Sequence, residues 1–213
     1  NAREQQHPNH TEDHIKKAIK KDKIKRMKLW DTIVGTLLGG ASAQSYGPPV
    51  VMGDESIMSK KAHGTSNTPV QDNLRWSCDT KTADRICNFN RHYAEYSGYW
   101  KSTTFLTSPE AQEAKQNSKE ITFYDSNTGK PLFVAPKSRS FEDFVAESLS
   151  HGWPSFRDEE VVWDNVRILK GGEAVSVDGT HLGHNLPDRK GNRYCINLVS
   201  VAGHPIASEK NSL

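Results

Sequence analysis

Cysteine is scarce in this chain. Of 213 residues three are cysteine, Cys78, Cys87 and Cys195. That is too few to staple a small scaffold with disulfides, and an odd number fits a free reactive thiol. No apolar run approaches the roughly 20 residues needed to span a bilayer. Apolar residues make up only 34% of the sequence and mean hydropathy is −0.74, so a sizeable part of the chain is expected to be solvated or to wrap around something. Net charge is only +2, which supplies no global field to attract nucleic acid, and a nucleic-acid partner is not expected.

Composition divides the chain near residue 70. The first residues are polar. Residues 15–38 then carry a helical stripe of apolar positions, among them Ile15, Ile19, Trp30 and Leu37, with a lysine-dense opposite face. Such a helix docks on its own domain or on a larger assembly, or meets an anionic membrane surface or nucleic acid through residues 16–28, which would show as salt-sensitive binding. Residues 29–43 end in Ala41-Ser42-Ala43 and resemble a signal-peptide core, although Asp31 interrupts it and a long segment precedes it. With Asn as residue 1, the chain reads as processed, as an organellar or exported protein would be. Residues 39–70 are rich in Gly, Ser, Pro and Lys and are expected to be a linker or extended arm. Residues 1–70 are therefore read as an extension and 71–213 as one domain.

Within that domain the spacing predicts a helix over 108–120, a short one over 141–150 and a helical start to 82–96. Short β-like runs follow at 121–124, 131–134, 161–169, 174–177 and 194–201, punctuated by turns such as Asn127-Thr128-Gly129 and Lys170-Gly171-Gly172. The expected fold is mainly β (α+β): antiparallel sheets forming a small barrel-like domain, with short helices on its N-terminal side.

The chemistry concentrates near the end of the chain. Arg193-Tyr194-Cys195-Ile196-Asn197 places a cysteine two residues after an arginine, and His181-Leu182-Gly183-His184 lies just upstream. A cation favours the thiolate over the thiol, and a histidine can move the proton that sulfur chemistry requires. A His-x-x-His pair could also hold a metal, but no further ligands accompany it, so no metal is expected.

These motifs, together with Gly129-Lys130-Pro131-Leu132-Phe133 and Gly152-Trp153-Pro154-Ser155-Phe156, stand in an order and rough spacing that resembles the B-type methionine sulfoxide reductases. The likeness covers about residues 90–202, and residues 90–100 look like a variant of that family's entry into the domain. The resemblance implies that Cys195 attacks the sulfur of methionine-R-sulfoxide and becomes a sulfenic acid. His181 and His184 would serve the departing oxygen, Arg193 would hold the thiolate, and Asn197 would orient the site. Trp153 would form the wall against the S-methyl group, with Phe156 completing it less directly. No organic cofactor is implied. The partners implied are free or protein-bound methionine sulfoxide and thioredoxin or a similar external thiol reductant.

The sequence departs from the family in two places. The two Cys-x-x-Cys pairs that hold structural zinc in many members would fall at Asp125 and Thr128 and at Val175 and Asp178, none of them cysteine. The resemblance then implies a zinc-free branch whose two loops are held by hydrogen bonds or packing. Where some members place a resolving cysteine, this chain has Ser150-His151. Cys87 or Cys78 could resolve the sulfenic acid, if either comes within a Cα separation of roughly 4.4–6.8 Å of Cys195; the two could pair with each other; or an external thiol could act directly. The rival reading is a non-catalytic subunit or adaptor that keeps this fold, motivated by the long polar extension.

Overall fold

In the computed structural model, residues 46–206 are described. The amphipathic stripe at 15–38 and the signal-like stretch at 29–43 lie outside them. Strands β1 (Ile121–Tyr124) and β2 (Pro131–Ala135) form an antiparallel hairpin. Five more strands build the main sheet: β3 (Ser155–Phe156), β4 (Val166–Ile168), β5 (Glu173–Ser176), β6 (His181–Asn185) and β7 (Tyr194–Ile196). Their order is β3-β7-β6-β5-β4, with every neighbouring pair antiparallel. The mainly antiparallel α+β expectation therefore holds, but the five-stranded sheet stays open, with β3 and β4 at its edges, and does not close into a barrel.

The helices begin where the sequence supplies a cap. In α1 (Thr80–Asp84) the Asp79 carboxylate accepts the Thr82 N–H at 2.7 Å. In α2 (Pro109–Asn117) the Ser108 hydroxyl accepts the Ala111 N–H and Pro109 occupies the first turn, where its missing N–H is not needed. In α3 (Phe141–His151) Ser140 and Asp143 cap each other reciprocally. Each such cap contributes on the order of 1 kcal/mol. Helix α3 lies between β2 and β3 in the chain, so the helices are not confined to the N-terminal side. It ends at Gly152, whose φ of 93° suits a residue without a Cβ, and a Cβ there would fall 2.1 Å from Ser97 Oγ.

The core is aromatic. Phe133 and Phe156 stack at 4.3 Å, and Phe123 meets Phe156 edge-on at 5.0 Å, with Phe144, Phe105, Trp76 and Trp100 around them. All of Phe123, Phe133, Phe144 and Phe156 are buried, so this cluster supplies much of the apolar burial beneath the sheet.

Residues 46–70, expected to be a linker or arm, instead belong to the domain. Gly53 N donates to Ile168 O at 2.9 Å and Ile168 N donates to Val51 O at 3.0 Å. Met52 thus pairs alongside Ile168 and covers the β4 edge, which would otherwise present unpaired backbone groups. Val50, Met58 and Val70 are buried. Ser66 enters a buried polar cluster with Asn88 and Asn127, with bonds of 2.7 and 2.8 Å. The physical reason for the difference is that apolar residues spaced thinly among polar ones can each find a separate niche without any periodic stripe. No helix among the described residues is long and apolar enough to cross a membrane.

Candidate functional site

One row of residues crosses the main sheet. Ser155 on β3 faces Cys195 on β7, Cys195 faces His184 on β6, and His184 faces Glu173 on β5. Directly opposed residues share a face, so these four side chains emerge on the same side. Alternation along β7 adds Arg193 to that face, and Asn197 follows because its backbone is still extended (φ −66°, ψ 125°). Tyr194 points the other way, edge-on to Trp163 at 5.7 Å, with its hydroxyl donating to Asp158 at 2.6 Å.

His181 and His184 are three residues apart, which on a regular strand would place them on opposite faces. The ladder between β5 and β6 carries one extra residue, Leu182: Ala174 pairs with Gly183, and Val175 pairs with His181. Glu173 and Val175 share a face, so their partners His184 and His181 do as well. Their rings lie 5.9 Å apart, edge to face. Gly183 lets β6 approach β7, since a Cβ there would fall 2.1 Å from Cys195 O.

Each imidazole has its own environment. His181 is buried and its Nδ1 donates to Glu173 Oε1 at 2.7 Å. Burial pulls the Glu173 carboxyl upward, but hydrogen bonds from His181 and Arg91 together outweigh it and hold the carboxyl down at about 2. Arg91 Nε reaches Glu173 at 3.0 and 3.1 Å. His184 is pushed down to about 4, chiefly by burial and then by His181, so it is neutral at neutral pH.

The Cys195 thiol differs from the expectation of a resting thiolate. Burial pushes it up to about 11; Arg193 pulls it down by its charge and by hydrogen bonding to the sulfur, but does not prevail, and Glu95 pushes it further up. The resting sulfur is therefore protonated at neutral pH. Arg193 is buried, its Nε lies 3.4 Å from Asp188 Oδ2, and its Nε and Nη1 have no hydrogen-bond acceptor among the described residues. Asp188 is in turn bridged by Arg157, at 3.1 and 2.8 Å, which holds its carboxyl at about 2.

The Trp153 indole N–H donates to Glu95 O at 3.0 Å, leaving the ring half-buried behind the Gly152 turn. The Asn197 amide is fixed from two sides: its Oδ1 accepts the Glu95 N–H at 3.0 Å and its Nδ2 donates to Leu182 O at 3.0 Å. Phe156, given a place in the pocket wall by resemblance, is fully buried in the aromatic core, facing away from Cys195 because it neighbours Ser155 on β3. It supports the sheet from beneath.

Cys78 and Cys87 are free and buried, as is Cys195. Cys87 lies fully inside, its thiol donating to Ser200 Oγ at 3.5 Å, and burial pushes both the Cys78 and Cys87 thiols up well beyond the ordinary range. The two loops that lack zinc cysteines are joined directly. Thr180 Oγ1 donates to Asp125 at 2.9 and 3.0 Å, and Lys130 Nζ reaches Asp178 at 3.0 and 2.9 Å. His151, at the end of α3, comes with Glu147 and Asp188 within 4.8 Å, donor atom to donor atom. Both carboxylates take hydrogen bonds from Arg157.

No protein-family model, curated protein or solved structure matches this chain.

Sequence reasoning missed Glu95, Glu173, Arg91 and Asp188. Their signal is absent from local spacing: Glu95 and Arg91 act on residues some eighty or more positions away, and Glu173 and Asp188 meet His181 and Arg193 at spacings that mark no motif. Glu95 alone could have drawn notice, as a carboxylate among Tyr93, Tyr96, Tyr99 and Trp100.

Proposed function

We propose that the protein is a thiol-dependent oxidoreductase that reduces methionine-R-sulfoxide, free or protein-bound, with Cys195 as the nucleophile. The single observation that carries this reading is the shared face of His184 and Cys195, opposite one another in the β6–β7 ladder, with Arg193 and Asn197 flanking the sulfur. Cys195 sulfur attacks the sulfoxide sulfur. The oxygen ends on Cys195 as a sulfenic acid, the thiol proton ends on that oxygen, and methionine leaves with its sulfur reduced by two electrons. Neutral His184 accepts the proton from the thiol and delivers it to oxygen, a role that requires an unprotonated ring. The Glu173 carboxylate fixes His181 with its proton on Nδ1, which leaves Nε2 able to accept a proton. Arg193 offers positive charge to the sulfur as its proton departs. The half-buried Trp153 ring receives the S-methyl group.

Two further thiols from a dithiol donor such as thioredoxin then return the sulfenic acid to thiol, releasing water and a disulfide. The test is turnover of separated R and S epimers of a methionine sulfoxide peptide with dithiothreitol. The expected result is reduction of R alone, lost in Cys195→Ser. Folded wild-type protein without R turnover would favour a non-catalytic subunit or adaptor instead.

A further inference from the structure

Glu95 sits where the parts of the site meet. It is buried, and no cation pairs with it among the described residues. Its carboxyl accepts the Leu198 N–H at 2.9 Å and the Val199 N–H at 3.1 Å, holding the turn that follows β7. Its own N–H fixes Asn197 Oδ1, and its carbonyl fixes the Trp153 indole. One residue therefore grips the amide beside Cys195, the aromatic wall and the turn after the nucleophile strand. Among the described residues, the Asn197 oxygen takes its bond from Glu95 alone.

Resting on the reductase reading, we propose that Glu95 is a positioning residue of the Cys195 site, which holds Asn197, Trp153 and the turn after β7 in register. An electrostatic effect accompanies this positioning. Cys78, Cys87, Cys195 and Tyr99 are the titratable groups that feel the Glu95 charge, and each is pushed up by it. Burial raises the Glu95 carboxyl itself to about 8, against the two backbone hydrogen bonds that favour its charged form. Near neutral pH it is therefore a neutral acid, and the thiols are spared its charge. Above that value it becomes an unpaired buried carboxylate that opposes formation of the Cys195 thiolate.

The experiment uses the full chain and the variants Glu95→Gln and Glu95→Asp. Alkylation of Cys195 by iodoacetamide is followed against pH by mass spectrometry of the peptide containing it. In Glu95→Gln the alkylation midpoint should fall below that of the wild type, because the charge that opposes ionisation is gone. Turnover of methionine-R-sulfoxide should nonetheless drop about tenfold or more, because Gln cannot accept both backbone N–H groups and the Leu198–Val199 turn shifts under Asn197. Glu95→Asp should keep the high midpoint while losing turnover, since it keeps the charge and shortens the reach. Full turnover in both variants overturns the inference, and a midpoint that stays or rises in Glu95→Gln overturns its electrostatic part. If Glu95→Gln does not fold, carbon NMR of labelled wild-type glutamate decides: the Glu95 carboxyl should titrate near 8, and titration at the ordinary 4.5 overturns the electrostatic claim. Alkylation does not depend on turnover, so failure of the reductase reading and failure of this inference remain separate results.

Discussion

Thr180 donates its hydroxyl to both carboxylate oxygens of Asp125, at 2.9 and 3.0 Å, and so joins the turn of the β1–β2 hairpin to the loop before β6. Asp125 also accepts the N–H groups of Asn127 and Thr128, at 2.8 and 3.4 Å, which shapes its own turn. Its full burial makes these bonds obligatory, because a carboxyl without partners there has no access to water.

Thr180→Val removes one donor and leaves Asp125 short of a partner. The expected loss is about 1–3 kcal/mol of unfolding free energy, read as a shift in the urea midpoint. Since side chains make this junction, a strong chelator should leave the wild-type midpoint unchanged, and a large fall on chelation would count against it.

Glu173 ties pH to stability. Its folded-state value, about 2, lies below the ordinary 4.5. The pairing with His181 and Arg91 thus stabilises the fold above about pH 4.5, and that contribution is lost as pH falls toward 2. The full effect is about 3 kcal/mol at most. Glu173→Gln should flatten the pH dependence of the urea midpoint across this window, and should slow turnover by freeing the His181 ring.

Arg193 works against burial. Replacing it with Gln removes the charge and hydrogen bond that lower the Cys195 thiol, so the alkylation midpoint should rise above its wild-type position near 11. Among the native thiols, Cys195 should be modified first on raising pH, because burial raises the Cys78 and Cys87 thiols further.

Removal of residues 1–69 should destabilise the domain. The deletion strips Met52 and Gly53 from the β4 edge, Val50 and Met58 from apolar niches, and Ser66 from the cluster with Asn88 and Asn127. The expected readout is a lowered thermal midpoint or failure to refold; an unchanged midpoint would show that the segment contributes no net packing.

What the sequence disclosed follows from how locally each feature is encoded. Helices α2 and α3 announce themselves because Ser108-Pro109 and Ser140 with Asp143 are local caps. Strands β1 and β2 carry their own apolar runs. Strand β6 escaped notice because His181-Leu182-Gly183-His184 has neither alternation nor β-branched residues, and only pairing to β5 and β7 makes it a strand. The run 161–169 shortened to Val166–Ile168 because Val161 leaves to bridge Phe133. At the site, Arg193, Cys195 and Asn197 were legible as alternate residues on one strand. Glu95, which holds Asn197, and Glu173, which holds His181, were not, because only the folded chain brings them to these residues.

The extra residue in β6 has a consequence for where else such a site could arise. In the ladder, His181 and His184 are two pairing steps apart, although the sequence counts three. The surplus residue, Leu182, spends its side chain in the core and turns its carbonyl to both the Asn197 backbone and its amide. An unbulged hairpin carrying His-x-His opposite a cysteine would present the same two imidazoles to the sulfur, only without that grip on the asparagine. A scan keyed to His-x-x-His passes over every such hairpin, whereas one that counts ladder steps would find them.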